Sequence, residues 1–222
     1  MTTVYLIRHS VRMKTSSIET YKTNQEDIIK REKIILSVEG ERRAEILSKE
    51  KELQNIDVIY TSNCVRTLQT AKYMMESQNL KANIDSRFDE RRVGKINNLI
   101  LKDWFSKQYF DQDYKTVGGE SQREVRKRFE EAFDEVIKKH KGKRIAIFSH
   151  EYAISFFLLK YCKLLDVDVY ADSCKLRYEY KDKILFDKPI SAPEVFKLTF
   201  ENEDLINIEL IEFKDLPYNH GV

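Results

Sequence analysis

Short apolar runs rich in β-branched residues recur along the chain, separated by amphipathic segments. Such runs, bounded by polar residues, are typical of buried strands. The predicted strands lie at 3–7 (TVYLI), 56–62 (IDVIYTS), 144–150 (RIAIFSH) and near 82–85 (ANID), with a hairpin or edge pair at 194–200 (EVFKLTF) and 205–213 (LINIELIEF).

The segments between these strands have the apolar spacing of helices. The predicted helices are 37–53, 65–77, 120–142 and 152–162, whereas the polar stretch 11–33 has no such pattern. Ser121 and Glu124 form a capping-box pattern at the start of the longest helix. Alternating strands and helices predict an α/β fold with a mostly parallel sheet and helices on both faces, a three-layer α/β/α arrangement.

Length and composition narrow the class of protein. The 222 residues suit one α/β domain, so we expect a single domain over 1–222. Lys and Arg (39) nearly balance Asp and Glu (37), which gives no reason to expect nucleic acid as a partner. No apolar run approaches the ~18 residues of a membrane span. The apolar run VYLI near the N-terminus is too short for the core of a signal peptide.

The three cysteines, Cys64, Cys162 and Cys174, form no CxxC pair. Their odd number favours reduced thiols in a cytosolic protein. We therefore expect a cytoplasmic protein with no membrane partner.

Three predicted strands end in residues suited to chemistry: Arg8-His9, Thr61-Ser62 and Ser149-His150. In α/β sheets, ligands bind beyond the carboxyl ends of the strands, so we expect these residues to meet there. Arg66 lies in the first turn of the helix that follows the second of these strands.

Two histidines and two arginines around one point favour a tetrahedral dianion. The guanidinium groups of Arg8 and Arg66 suit phosphate oxygens, and a helix N-terminus adds positive potential. A neutral His9 can then act as nucleophile toward phosphorus. Adjacent arginines repel cations, which disfavours a metal site. The leaving oxygen needs a proton, and Glu90 and Glu151 are the two candidate donors.

These segments together resemble the histidine phosphatase superfamily, also called the phosphoglycerate mutase-like superfamily. LIRHS is similar to its RHG signature, YTSNCVRTLQTAKYM to its S-x-x-x-R-x-x-Q-T-A segment, and RFDERRVGKINN to its acid-bearing segment; GGES and IFSH follow in family order. The resemblance implies that His9 becomes phosphorylated and that Arg8, Arg66 and His150 hold the phosphate. It places Glu90 where the smaller, mutase-like branch has its proton donor. It also implies that neither a metal nor an organic cofactor is needed.

The sequence departs from the family pattern at two positions. Ser10 stands where the family usually has glycine, and its hydroxyl is a candidate donor to the phosphate. Glu151 stands where many mutase-like members have glycine. The larger acid-phosphatase branch pairs R-H-G-x-R with an acid after its second histidine. RHSVR and the later HE are similar to that pattern, with Arg12 as a further phosphate ligand and Glu151 as the acid. The chain length and the FDERRVG segment nevertheless favour the smaller branch.

The leading functional prediction is a metal-independent phosphatase that hydrolyses a small phosphorylated metabolite through a phosphohistidine on His9. The first alternative is a phosphoglycerate mutase, although the mutase stretch E-R-H-Y-G reads ERRVG here. The second is a non-catalytic phosphate-binding regulatory protein. We also expect a helical or loop insertion near 86–118 over the site. The stretch 167–196 is compatible with an oligomer contact, such as that of a homodimer, or with a lid.

Overall fold

The computed structural model describes residues 1–14, 25–95, 101–170 and 173–216. Its elements are β1 (Thr2–Arg8), α1 (Gln25–Glu32), α2 (Val38–Lys49), β2 (Val58–Thr61), α3 (Val65–Gln78), β3 (Ala82–Ile84), α4 (Leu101–Phe110), α5 (Gln122–Lys139), β4 (Arg144–Ser149), α6 (Glu151–Leu158), β5 (Lys163–Tyr170), β6 (Ser173–Tyr180), β7 (Lys183–Lys188), β8 (Glu194–Glu201) and β9 (Asp204–Ile211).

The central sheet has six strands in the order β3-β2-β4-β1-β8-β9. The four strands β1 to β4 are mutually parallel, and the antiparallel hairpin β8–β9 continues the sheet beyond β1. The predicted mostly parallel sheet and the C-terminal hairpin are therefore confirmed.

Both faces of this sheet are covered by helices, because successive strand residues point to opposite sides. On one face Val4 and Leu6 of β1 join a buried cluster with apolar residues of α5 and α6. On the other face Tyr5 and Ile7 pack with residues of α2 and α3. This alternation produces the predicted three-layer α/β/α arrangement.

Strands β5, β6 and β7 form a second, antiparallel sheet for which the sequence predicted no structure. Tyr178 and Phe186, stacked with ring centroids 4.8 Å apart, belong to the same buried cluster as Phe156 of α6. The second sheet is thus packed onto the main core. Its role as a lid or an oligomer contact stays a prediction, as does the single domain.

Several helix boundaries differ from the prediction. A short helix, α1, lies within the stretch 11–33, where the sequence predicted none. Most residues of α1 are polar, so the sequence shows no repeated apolar spacing there. The helix predicted over 37–53 ends at Lys49 because Glu50 adopts an extended backbone, and a 3-10 turn follows. Helix α6 ends at Leu158, four residues early, as the chain turns into β5. The capping box of Ser121 and Glu124 at the start of α5 is confirmed.

Within the predicted insertion 86–118, the described residues contain a 3-10 turn at Ser86–Phe88 and helix α4, and residues 96–100 lie outside the described part. Gly94 has a positive φ of 76°, and a Cβ there would lie 2.5 Å from the backbone nitrogen of Gly119. Glycine at 94 therefore allows the loop after Glu90 to contact the GGES segment closely. Among the described residues, no helix has the length and apolar character needed to cross a membrane.

Candidate phosphotransfer site

The ends of three neighbouring strands bring the predicted chemistry together. In the sheet, Arg8 of β1 is in register with Ser149 of β4, and Thr61 of β2 with Phe148. Arg8-His9, Thr61-Ser62 and Ser149-His150 therefore lie at the same edge, as strand polarity predicted. The rings of His9 and His150 contact each other edge to face, with centroids 5.1 Å apart.

His9 is held in a defined orientation by its own neighbour. Its Nδ1 lies 2.7 Å from the carbonyl oxygen of Ser10, which can only accept, so Nδ1 carries the proton and Nε2 has a free lone pair. Burial, followed by the charges of Arg66 and Arg8, holds the pKa of His9 well below its usual value. The neutral, nucleophilic form of the imidazole is thus favoured at neutral pH.

His150 has the opposite tautomer. Nη2 of Arg66 donates to its Nδ1 at 3.0 Å, so Nε2 carries the proton and donates to Oγ of Ser62 at 2.8 Å. Oγ of Ser62 also lies 2.8 Å from Oγ1 of Thr67, which continues the network into helix α3. Burial and the nearby Arg66 hold the pKa of His150 well below its usual value.

Arg66, in the first turn of α3, is buried beside both histidines. Its Nη1 donates at 2.9 Å to the carbonyl of Arg31 near the end of α1. Its buried Nε has no hydrogen-bond acceptor among the described residues. Arg66 therefore keeps a donor for an anion while its other nitrogens fix its position.

The guanidinium of Arg8 is bound on two sides. Nη2 forms an ion pair with Oε2 of Glu151 at 2.8 Å, and Nη1 donates to the carbonyl oxygen of Ile190. Both charged side chains are nearly buried. Burial raises the pKa of Glu151, an effect that Arg8 opposes and the nearby Glu90 reinforces. In this arrangement Glu151 balances the charge of Arg8.

Ser10 and Arg12 differ in how directly they reach the site. The hydroxyl of Ser10 is fully buried and has no hydrogen-bond partner within the described chain, while its backbone N–H donates to Thr70 at 3.0 Å. Donation from the Ser10 hydroxyl to a phosphate oxygen stays a prediction. Arg12 is exposed, and its charge lowers the pKa values of His9 and Glu151. Arg12 thus acts on the site through its electrostatic field.

Glu90 reaches the site through the start of helix α6. Its carboxylate accepts hydrogen bonds from the N–H groups of Tyr152 at 3.3 Å and Ala153 at 3.1 Å. A carboxylate at a helix N-terminus interacts favourably with the helix dipole. Since α6 follows His150 directly, Glu90 and Glu151 both lie at the end of the helix nearest the histidines.

For three residues of the site, the sequence predicted no specific role. Ser62 orients His150, Thr70 anchors the backbone at Ser10, and Arg91 lies beside Glu90. Ser62 ends a predicted strand and Thr70 lies within the S-x-x-x-R-x-x-Q-T-A segment, so the sequence contained a signal for both. Arg91 sits in a run of charges typical of an exposed loop, which concealed its burial.

The sequence matches the histidine phosphatase superfamily (branch 1) over residues 4–171. It is 29% identical to phosphoserine phosphatase 1 of Hydrogenobacter thermophilus over 142 residues, which are 60% of this chain and 66% of that protein. It is 26% identical to a probable phosphoglycerate mutase of Yersinia enterocolitica over 166 residues, covering 71% and 74% of the two chains.

Solved structures show the same fold. YhfR of Bacillus stearothermophilus has a TM-score of 0.60 at 20% identity, over 93% of this chain and 95% of that one. A mycobacterial glucosyl-3-phosphoglycerate phosphatase has a TM-score of 0.61 at 14% identity, over 94% and 96%. The chain belongs to the histidine phosphatase superfamily, whose phosphatases are phosphoric monoester hydrolases. The family prediction is confirmed.

Proposed function

We propose that the chain is a metal-independent phosphatase that hydrolyses a small phosphomonoester through a phosphohistidine on His9. Nε2 of His9 attacks phosphorus, the N–P bond forms, and the P–O bond to the leaving group breaks while a carboxylic acid protonates that oxygen. The alcohol leaves, and water attacks phosphorus while the same carboxylate takes its proton. The N–P bond breaks, inorganic phosphate leaves, and His9 is neutral again.

The contact of 2.7 Å between Nδ1 of His9 and the carbonyl oxygen of Ser10, which assigns the tautomer, is the observation that carries this proposal. The bond from Nδ1 to the carbonyl of Ser10 directs the Nε2 lone pair away from the backbone, and burial keeps the ring unprotonated. Arg8 and Arg66 would balance the charge of the transferring phosphoryl group, and His150 and the hydroxyl of Ser10 would lie beside it. Arg12 would add a weaker, longer-range attraction.

Glu90 is our preferred proton donor. Glu151 is in a close ion pair with Arg8, so donating a proton would leave it competing with the phosphate for that guanidinium. Glu90 is bound by backbone N–H groups alone, which fix the carboxyl without binding it to a phosphate ligand. Glu151 stays the alternative donor.

The substrate that we propose is a small phosphorylated metabolite that also bears a carboxylate. Arg91 is only 3% exposed and lies between the rings of Trp104 (4.1 Å) and Tyr152 (4.8 Å). Its Nε and Nη2 have no acceptor among the described residues. A buried guanidinium with spare donors beside Glu90 favours an anionic group on the substrate. Phosphoserine, whose phosphatases are among the relatives, has such a group.

Two other functions are less well supported. A mutase should retain the E-R-H-Y-G stretch, whereas Arg92 and Val93 replace its histidine and tyrosine. A non-catalytic phosphate-binding protein would not need a fixed donor such as Glu90 near a neutral histidine. The cytoplasmic location, the homodimer and the absence of nucleic-acid partners stay predictions; the three cysteines are free and buried, which is compatible with a reducing compartment.

The test is phosphate release from p-nitrophenyl phosphate and a panel of metabolite phosphates in the presence of EDTA. Activity that resists EDTA and disappears in His9→Ala supports the proposal. Comparing Glu90→Gln with Glu151→Gln on phosphoserine identifies the donor. Isomerisation of phosphoglycerate that depends on a bisphosphorylated primer, without phosphate release, would favour the mutase instead.

A further inference from the structure

The side chain of Arg128, on α5, binds the loop that carries Glu90. Its Nη1 donates to the carbonyl oxygens of Arg87 at 2.7 Å and Asp89 at 2.9 Å, and its Nη2 to that of Glu90 at 3.3 Å. Nε and Nη2 also donate to the carboxylate of Glu120, at 2.9 and 3.1 Å. All five N–H donors of the guanidinium therefore have an acceptor, and three of these acceptors are main-chain atoms of one loop.

Glu120 holds the far end of the same loop. Its carboxylate accepts from the backbone N–H of Arg92 at 2.9 Å, and its own N–H donates to the carbonyl of Arg92 at 2.8 Å. Glu120 is 7% exposed, and its charge is compensated mainly by Arg128, at 2.9 Å, with Arg92 more distant at 3.5 Å. The Arg128–Glu120 pair thus fixes the main chain on both sides of Glu90.

The loop between the 3-10 turn and α4 has no strand or helix through residue 95, so its shape depends on contacts with other segments, made by both side chains and main chain. On the side facing the sheet, Oγ of Ser149 donates to the carbonyl of Phe88 at 2.7 Å. The carboxylate of Glu90 rests on the start of α6. Any shift of the main chain at Glu90 moves this carboxyl relative to His9, and small displacements of a catalytic group cost large factors in rate.

We propose that Arg128, together with Glu120, is a positioning residue for proton transfer by Glu90; this inference rests on the proposed role of Glu90 as donor. Arg128 lies in the run REVRKRFEE, which the sequence alone presents as a solvated helix face. The tertiary structure instead turns this one arginine toward the loop.

The leaving group of the substrate separates positioning from general stabilisation. p-Nitrophenolate leaves readily without a proton, whereas an alkoxide such as that of serine needs one. The quantity to compare is kcat/KM, because it includes phosphorylation of His9 and excludes the later hydrolysis step. A defect in proton donation lowers kcat/KM for phosphoserine much more than for p-nitrophenyl phosphate.

The experiment measures both substrates with Arg128→Lys, Glu120→Gln, Glu90→Gln and the double variant Arg128→Lys/Glu90→Gln. Lysine keeps the charge but has three N–H donors in place of five, so it cannot contact Glu120 and all three carbonyls at once. The control is Arg123→Lys, on the same helix, where the arginine binds the carboxylate of Asp113 at 2.7 Å and is mostly exposed. Circular dichroism and thermal melting show that each variant is folded; if Arg128→Lys does not fold, Glu120→Gln provides the test.

We expect Arg128→Lys and Glu120→Gln to lose about tenfold in kcat/KM on phosphoserine and less than threefold on p-nitrophenyl phosphate. The control Arg123→Lys should leave kcat/KM unchanged on both substrates. In the Glu90→Gln background, Arg128→Lys should not further change the ratio of kcat/KM on phosphoserine to kcat/KM on p-nitrophenyl phosphate. Equal losses of kcat/KM on both substrates, or additive losses in the double variant, would overturn the positioning role of Arg128. The role of Glu90 as proton donor would not be affected by that outcome. If Glu90→Gln itself leaves the ratio unchanged, the donor assignment fails and the positioning role fails with it.

Discussion

The guanidinium of Arg8 and the carboxylate of Glu151 form a buried ion pair with an N–O distance of 2.8 Å. The residue predicted to bind phosphate is thus bound to an internal anion. A phosphate dianion that approaches Arg8 meets the charge of Glu151, and two like charges a few ångströms apart in a partly buried site repel by several kcal/mol, about 4 at an effective dielectric constant of ~20.

Replacing Glu151 by Gln should therefore strengthen phosphate binding. We expect the competitive inhibition constant of inorganic phosphate to fall about tenfold, since much of the repulsion is screened or relaxed. The amide oxygen can still accept from Arg8, so the guanidinium keeps its position. Glu45→Gln, at an exposed pair with Lys49, is the control. Weaker binding in Glu151→Gln would mean that the ion pair itself holds Arg8 in its phosphate-binding geometry.

The two histidines should be neutral and in opposite tautomers at pH 6.5. His9 should carry its proton on Nδ1 and His150 on Nε2. Protonation of His9 abolishes its nucleophilicity; because burial and two arginines lower its pKa, this loss occurs only below the ordinary range of histidine. Long-range proton–nitrogen NMR of the imidazoles during a pH titration measures both properties. A His9 that titrates near pH 6.5 would contradict the prediction.

Removing the hydroxyl of Ser62 should impair His150. In Ser62→Ala, the N–H at Nε2 of the buried His150 loses its acceptor, and an unsatisfied buried donor costs about 1–3 kcal/mol. We expect a loss of roughly 1–2 kcal/mol in the free energy of unfolding and about a tenfold loss in kcat/KM. Urea unfolding and steady-state kinetics measure these effects. The control is Ser77→Ala, because the hydroxyl of Ser77 donates to the carbonyl of Met74 within α3 at 3.3 Å. This variant should change neither the stability nor kcat/KM. An effect as large as that of Ser62→Ala would argue against the role of Ser62 in orienting His150.

Asp89 should make the stability of the protein fall as pH rises. Burial raises its pKa to about 6, an effect that the hydrogen bond from the N–H of Asn63 and the charge of Arg128 oppose. The folded state therefore binds more protons than the unfolded state between about pH 4 and 6, so the free energy of unfolding decreases across that range. Asp89→Asn should remove this decrease and gain up to about 2 kcal/mol at pH 8.

The measurement is urea unfolding of the wild type and Asp89→Asn at pH 4.5 and pH 8. The amide oxygen of asparagine can still accept from Asn63, so the loop keeps this contact. Asp113→Asn, at an exposed pair with Arg123, is the control. The prediction is contradicted if the free energies of unfolding of wild type and Asp89→Asn differ by the same amount at both pH values. Ionising Asp89 would then not destabilise the folded state.

Strand polarity and residue chemistry were enough to predict the core of the site. The apolar runs before His9, Ser62 and His150 predicted parallel strands, and parallel strands present their carboxyl ends at one edge, so these residues had to meet. The family motifs named Arg66 and Glu90 without any coordinates. The prediction that the strand ends meet is confirmed because a strand's direction and its last residues are local properties of the sequence.

Partnerships between distant segments required the tertiary structure. Nothing in the sequence distinguishes Arg91, buried between two aromatic rings, from its neighbour Arg92, which is mostly exposed. Likewise, Arg128 looks like the other cations of α5, and only the packing of that helix against the loop makes it bind three carbonyls. A charged side chain does not reveal its burial or its partner locally, because both depend on which surfaces the fold brings together.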